Sequence, residues 1–132
     1  MNILFVCKYN RYRSRVAEAL FNHYNKNPKN IAKSAGTFVT EKGFPIISMA
    51  ASALKKMGIE YDISQGAVQL NSTTTKWADK IVIVAEEVDE KDFPIEKTIK
   101  IGFPDVYSSD KETEENIKRI EKEVLKLVAE IS

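Results

Sequence analysis

Three of the four arginines of this chain stand beside its only cysteine. The segment VCKYNRYRS spans residues 6–14, and Arg15 follows directly. Arg13 lies six positions after Cys7. The planar guanidinium of an arginine binds two oxygens of an oxyanion at once and keeps its charge, whereas a lysine acts as a point charge. The spacing therefore indicates a short loop that holds a phosphate-like anion beside a thiol.

The residues on either side of this loop predict the elements that position it. Residues 3–6, with the sequence ILFV, form an apolar run of the kind seen in a strand buried on both faces. From Ser14 onward, apolar residues recur at helical spacing until the polar segment 25–28. Ligands of parallel sheets bind outside the carboxyl ends of the strands, and helix N-termini attract anions. We therefore expect Cys7 at the carboxyl end of the first strand.

A thiol in this position is expected to act as a nucleophile. Amide dipoles and a guanidinium favour the thiolate, which is the reactive form of a cysteine. Ser14 is expected to donate a hydrogen bond to the sulfur, and Asn10 to adopt the left-handed backbone that a tight loop needs. The alternative is that Cys7 is an inert core thiol, which is common among free cysteines.

Composition excludes several other classes of protein. The 132 residues suit one domain, and 20 basic against 19 acidic side chains leave a net charge of +1, which argues against nucleic-acid or membrane-surface binding. A single cysteine forms no internal disulfide and no cysteine-rich zinc site. No apolar run approaches the roughly 20 residues that cross a bilayer, and no signal-peptide layout is present. We expect a soluble cytoplasmic protein without a cofactor.

The periodicity of the chain predicts a single α/β domain over residues 1–132. Expected strands occupy residues 3–6, 30–34, 80–85 and 98–101, and expected helices occupy residues 14–24, 46–56, 87–92 and a long segment after Ser109. Ser109 and Glu112 have the spacing of a capping box. Alternating strands and helices imply a four-stranded parallel sheet with helices on both faces.

Several motifs together resemble one known family. They are ILFVCKYNRYRSRVAEAL at residues 3–20, SAGT at 34–37, MGI at 57–59 and AD at 78–79. This pattern resembles the low-molecular-weight protein tyrosine phosphatases, a family that includes the thioredoxin-coupled arsenate reductases, and it covers nearly the whole chain. The resemblance implies a flavodoxin-like sheet with strand order 2-1-3-4 and a Cys-x5-Arg phosphate-binding loop after the first strand.

The resemblance also implies a covalent mechanism. Cys7 would attack phosphorus to form a cysteinyl-phosphate, while Arg13 and the backbone amides of residues 8–14 hold the phosphate oxygens, and water would then release inorganic phosphate. The family carries its general acid in an Asp-Pro pair after the last strand, which makes Asp105 the candidate here. A valine replaces the proline, so the stiffness that proline gives this loop is lost. Asp110 is the reserve candidate, although an aspartate there also suits a helix N-terminus.

Substrate contacts are expected along the same loop. The candidate binding residues are Lys8, Tyr9, Asn10, Arg11, Tyr12, Ser14 and Phe38. Arg11 and Arg15 are expected to add positive potential at the rim of the site. The family often has a small residue in place of Tyr9, and many members have a second cysteine in place of Tyr12. The expected substrate is a phosphotyrosine-containing protein or a small aryl phosphate.

Two other functions remain open at the level of the sequence. An arsenate reductase would need an external thiol, because the chain has no further cysteines to relay electrons. A phosphocysteine carrier or non-catalytic phosphate-binding module would place a cysteine after the first strand without needing Arg13. The lone histidine, His23, and the lone tryptophan, Trp77, are expected to pack rather than to take part in catalysis.

Overall fold

Four parallel strands form the centre of the fold. The computed structural model describes residues 1–62 and 64–131. Within that part of the chain the strands are β1 (Asn2–Cys7), β2 (Ile31–Gly36), β3 (Lys80–Ile83) and β4 (Thr98–Lys100). They form one sheet in the order β2-β1-β3-β4, and every neighbouring pair is parallel. The predicted sheet and its strand order are therefore confirmed.

The two central strands are covered on both sides. Every side chain from Ile3 to Cys7 is buried, and so are those from Ile81 to Ile83. Successive side chains of a strand point to opposite faces, so a continuous buried run means that both faces of the sheet are packed. The continuous apolar run in β1 reflects this central position.

Four α-helices lie around the sheet within the described residues. They are α1 (Arg13–Tyr24), α2 (Ser48–Lys56), α3 (Ser72–Trp77) and α4 (Asp110–Ile131). The first helix contacts β1, β2 and α4, and α2 also contacts α4. The apolar face of α4 is buried through Ile117, Ile120, Val124 and Leu127, as its periodicity predicts. Among the helices of the described chain, none has both the length and the apolar character needed to cross a bilayer.

Several boundaries differ from the prediction because backbone pairing overrides local pattern. Strand β2 continues through Ala35 and Gly36, which pair with the last two residues of β1. The expected helix at 46–56 begins only at Ser48, because the N–H of Ile47 donates to the carbonyl of Arg11 at 2.9 Å and its backbone is extended. The expected helix at 87–92 is reduced to a single 3₁₀ turn over Glu90–Asp92.

Capping also departs from the prediction in part. The N–H of Glu112 donates to Ser109 Oγ at 3.1 Å, as the capping box requires, but the Glu112 carboxylate accepts from Ser108 Oγ. A complete capping box lies instead at α3, where the side chains of Asn71 and Thr74 each accept a hydrogen bond from the other residue's backbone N–H.

Candidate active site

The loop between β1 and α1 is held against the end of β2. Asn10 has a φ of 54°, which confirms the expected left-handed backbone. The N–H groups of Thr37 and Phe38 donate to the carbonyls of Cys7 and Lys8 at 3.0 and 2.8 Å. A Cβ atom at Gly36 would lie 2.7 Å from the Lys8 carbonyl oxygen, so glycine is needed there for this close approach. The SAGT segment thus shapes the loop that follows Cys7.

Two hydrogen-bond donors face the sulfur of Cys7. Ser14 Oγ lies 2.8 Å from Cys7 Sγ, and the backbone N–H of Asn10 donates to the sulfur at 3.3 Å. The Asn10 Nδ2 group donates to Ser14 Oγ at 2.8 Å, which leaves the single hydroxyl hydrogen of Ser14 free to point at the sulfur. Both groups can therefore support a negative charge on sulfur.

A buried network of hydrogen bonds holds the side chain of Asn10 in place. Its Nδ2 group also donates to Ser34 Oγ at 3.0 Å, and its Oδ1 atom accepts from the N–H of Val68 at 2.8 Å. Ser34 Oγ in turn donates to the carboxyl of Glu18 at 2.5 Å. Burial raises the pKa of Glu18 although Ser34 and Gln65 donate hydrogen bonds to it. Such a satisfied network holds the loop in one shape.

Arg15 does not lie at the rim, so that prediction was wrong. Its side chain is fully buried and donates to the hydroxyl of Tyr61 and to the carbonyls of Gln65 and Asn10. Burial raises the pKa of Tyr61 to about 12. Arg15 points into the protein from α1 and joins the loop to Tyr61 and Gln65.

Arg11 does lie at the rim, but its guanidinium is engaged by a neighbouring segment. Nε donates to the carbonyl of Pro45 at 2.9 Å, and Nη1 lies 2.9 Å from a carboxylate oxygen of Glu41. Its guanidinium carbon is 5.5 Å from the ring centre of Phe44. Arg11 therefore ties residues 41–45 to the loop.

Arg13 is a buried arginine with one nitrogen, Nε, that makes no hydrogen bond within the described residues. Only 1% of its side chain is exposed. Nη1 donates to Glu87 and to the carbonyl of Phe103 at 2.6 and 2.8 Å, and Nη2 donates to Glu87 at 2.6 Å. A guanidinium has five N–H groups. The Nε–H and the second Nη2–H remain, on one edge of the group, and buried Nε finds no hydrogen-bond partner among residues 1–62 and 64–131.

Asp105 lies beside this open edge of Arg13. It belongs to the β4–α4 loop, which we define as residues 101–109, and its Oδ1 atom is 3.6 Å from Arg13 Nε. The side chain is 30% exposed. Partial burial raises the pKa of Asp105; the charge of Arg13 opposes this shift and that of Glu87 adds to it. Asp110, the reserve candidate, is instead the exposed first residue of α4.

A cleft of about 290 Å³ opens at these residues. It is lined by Cys7, Tyr9, Arg11, Tyr12, Arg13, Phe38, Thr40, Glu41, Ile47, Asp105 and Tyr107. The lining thus combines the thiol, the open guanidinium edge and two carboxyl groups with several aromatic side chains. Cys7, Arg13 and Asp105, the three predicted catalytic residues, lie together in this one cleft.

Six of the seven predicted binding residues fall into two groups. Four line the cleft: Tyr9, Arg11, Tyr12 and Phe38. Asn10 and Ser14 are buried beneath the loop and act on its shape. The ammonium group of Lys8 lies 5.2 Å from the ring centre of Tyr9. Substrate contact by any of these side chains stays a prediction.

A family model for low molecular weight phosphotyrosine protein phosphatases matches residues 2–132. The chain belongs to this family. A low molecular weight protein tyrosine phosphatase from T. tengcongensis is 31% identical, with 99% of each chain covered and a TM-score of 0.87. An arsenate reductase from Archaeoglobus fulgidus is 28% identical, with 96% of this chain and 98% of that chain covered and a TM-score of 0.75.

A protein with a third activity has the same fold. An arginine phosphatase from Geobacillus stearothermophilus is 23% identical, with 98% of this chain and 92% of that chain covered and a TM-score of 0.85. No curated protein sequence matches significantly. Family and fold together make this protein a low-molecular-weight cysteine-dependent phosphatase.

Sequence reasoning missed two residues that organise the site of this phosphatase. Glu87 holds Arg13 through two hydrogen bonds, and the bond from Arg13 lowers the pKa of Glu87. Glu87 follows β3 at the same sheet edge as Cys7, and this position could have indicated that it belongs to the site. Asn116 contacts the β4–α4 loop from α4, and no local pattern pointed to it. In the described chain, no group of three or more His, Cys, Asp or Glu residues is placed to hold a metal ion.

Proposed function

We propose that this phosphatase hydrolyses aryl phosphate monoesters, with phosphotyrosine as the favoured substrate, through a cysteinyl-phosphate. The observation that carries the proposal is the open edge of Arg13 in the cleft that also holds the only thiol of the chain. A buried guanidinium with two N–H groups that make no hydrogen bond can take two oxygens of an anion. Phosphate is tetrahedral, so those two oxygens can be held while the sulfur approaches phosphorus on the side opposite the bond to the leaving oxygen.

The first step transfers the phosphoryl group to the enzyme. The thiolate of Cys7 attacks phosphorus, the bond between phosphorus and the leaving oxygen breaks, and its electron pair stays on that oxygen. Asp105, in its protonated form, gives its proton to the leaving phenolate. A raised pKa suits this role because it keeps the proton on the carboxyl group at higher pH.

The second step releases the product. Asp105, now a carboxylate, takes a proton from water as the oxygen of that water attacks phosphorus. The sulfur–phosphorus bond breaks, its electron pair returns to Cys7 as the thiolate, and inorganic phosphate leaves. Ser14 and the N–H of Asn10, which face the sulfur, stabilise the thiolate as leaving group.

Aromatic side chains around the cleft support an aryl substrate. Tyr9, Phe38 and Tyr107 line it, and 61% of Phe38 is exposed. An exposed aromatic side chain can pack against the ring of a phosphotyrosine. The proposal therefore predicts faster hydrolysis of phosphotyrosine peptides than of phosphoserine peptides.

Phe38→Ala tests this choice of substrate. We expect KM for phosphotyrosine peptides to rise by about two- to twelvefold, because a ring–ring contact contributes about 0.5–1.5 kcal/mol. Hydrolysis of phosphoserine peptides should change less. Ile95→Ala is the matched control, since Ile95 is 90% exposed and does not line the cleft. A wild-type preference for phosphoarginine, or thiol-dependent reduction of arsenate without ester hydrolysis, would contradict the proposed substrate.

Asp105→Asn tests the general acid. We expect kcat/KM for phenyl phosphate to fall by on the order of 10²- to 10³-fold, while p-nitrophenyl phosphate, whose leaving group needs less protonation, is affected less. In the wild type, kcat/KM for phenyl phosphate should decline as pH rises through the raised pKa of Asp105, because the carboxyl then loses its proton. The variant should lack this decline. Asp110→Asn is the control. If Asp110→Asn selectively loses phenyl phosphate hydrolysis and Asp105→Asn does not, the general acid is Asp110.

A further inference from the structure

A buried tyrosine of the anion-binding loop holds the backbone on one side of Asp105. Only 3% of Tyr12 is exposed. Its hydroxyl donates to the carbonyl of Val106 at 2.9 Å, immediately after Asp105. The ring of Tyr12 also meets the ring of Tyr107 edge to face, with centroids 5.5 Å apart. Tyr12 therefore contacts both residues that follow the proposed acid.

An asparagine of α4 holds the backbone on the other side. The Nδ2 group of Asn116 donates to the hydroxyl of Tyr12 and to the carbonyl of Pro104, each at 3.1 Å. Asn116 is fully buried, and its Oδ1 atom has no hydrogen-bond partner in residues 1–62 and 64–131. A buried acceptor without a partner destabilises the fold. The amide group of Asn116 donates to Tyr12 and to the loop, but its unpaired oxygen lowers the stability of the fold.

The β4–α4 loop needs such support from outside itself. Residues 101–107 belong to no helix or strand. The carbonyl of Phe103 accepts from the N–H of Glu86 and from Arg13, which leaves the carbonyls on either side of Asp105 to be held by other groups. The residue after Asp105 is a valine, which leaves φ free where a proline would fix it. The two carbonyls that flank Asp105 are the two that Tyr12 and Asn116 bind.

We propose that Tyr12 and Asn116 are positioning residues that hold the β4–α4 loop so that Asp105 meets the leaving group. This inference rests on the proposed role of Asp105 as general acid. The Tyr12–Asn116 pair takes the place of the missing proline, because it restrains the backbone on both sides of Asp105 from outside the loop. Tyr12 thereby joins the phosphate-binding loop directly to the segment that carries the acid.

Tyr12→Phe removes the hydroxyl and keeps the ring against Tyr107. We expect kcat/KM for phenyl phosphate to fall by about tenfold, the effect of losing one positioning hydrogen bond. Hydrolysis of 2,4-dinitrophenyl phosphate should stay within about twofold, because that leaving group departs without a proton. Asn116→Leu should show the same selective loss. A merely structural role would not distinguish the two leaving groups.

Two controls separate positioning from loss of stability. Tyr24→Phe also removes a hydroxyl that makes a hydrogen bond, to Glu121 at 2.7 Å, and should leave both substrates unchanged. In the Asp105→Asn background, Tyr12→Phe should have no further effect on phenyl phosphate, since the two residues act on the same proton transfer. Melting curves verify that each variant is folded, and Asn116→Leu serves if Tyr12→Phe does not fold.

The outcomes separate this inference from the proposed function. If Asp105→Asn shows the selective loss and the folded Tyr12 and Asn116 variants do not, the positioning role is wrong and the acid assignment stands. Equal losses for both leaving groups, or a full Tyr12→Phe effect in the Asp105→Asn background, also overturn the positioning role. If Asp105→Asn hydrolyses phenyl phosphate like the wild type, both proposals fail.

Discussion

Cys7→Ser is expected to lower kcat for p-nitrophenyl phosphate by on the order of 10⁴- to 10⁶-fold, the range for loss of a catalytic nucleophile. A serine hydroxyl at this position is protonated, and no histidine is among the residues that line the cleft, so it lacks the usual base that activates a serine. The rest of the anion site is left intact. Inorganic phosphate should therefore still bind to the folded variant, which isothermal calorimetry can measure.

The covalent step can be seen directly in the wild type. Acid quenching during turnover of a good substrate, followed by intact-mass measurement, should show one added phosphoryl group. Because Cys7 is the only thiol, alkylation by iodoacetate has a single cysteine target, and inorganic phosphate should protect against it. Turnover by Cys7→Ser close to the wild-type rate would exclude the cysteinyl-phosphate. A stable phosphoenzyme without hydrolysis would favour a phosphocysteine carrier.

The second large effect is expected for Arg13→Lys, which should lower kcat/KM for aryl phosphates by on the order of 10³- to 10⁴-fold. Removal of a single donor to the charge that develops in a transition state costs about 10²- to 10³-fold, and Arg13 offers two such donors. The lysine keeps the charge and loses the planar fork. It also loses the two bonds that hold Glu87, so the remaining donor is poorly oriented.

Controls for Arg13→Lys are available on the same chain. Arg119 lies on the exposed side of α4, and Arg119→Lys should leave the rate unchanged. Glu87→Gln should cause a smaller loss than Arg13→Lys, because it keeps the open edge of Arg13 and weakens only its orientation. A rate for Arg13→Lys within about tenfold of the wild type would mean that point charge alone suffices, against the fork argument.

Elements with strong local signals were predicted well. Strand β1 is a continuous apolar run that fits a central position, and α4 has a regular apolar face, so both could be placed from the sequence. Shorter elements were placed less well. The start of α2 depends on a hydrogen bond between Ile47 and Arg11, and the end of β2 depends on pairing with β1. Such boundaries follow from tertiary contacts that a local pattern does not contain.

The position of the Arg15 side chain likewise depends on tertiary contacts that a local pattern does not contain. Its type and its neighbourhood suggested a charge at the rim of the site. The structure buries it against Tyr61 and Gln65, which are 46 and 50 positions away in the chain. Only the folded chain shows which face of α1 turns inward at this end of the helix. The position of an arginine near a site does not by itself tell whether it faces the ligand.

The sequence by itself determined the loop of this phosphatase: a thiol at the end of a buried strand and an arginine six positions later at the start of a helix. These features are set by neighbours along the chain or by a motif. The tertiary structure decided what surrounds them. Arg13 meets Glu87 and Phe103 across 74 and 90 positions, and Tyr12 meets Val106 and Asn116 across 94 and 104. Which guanidinium edge stays open, and which residues contact the loop that carries Asp105, depend on contacts that arise only when distant segments pack together.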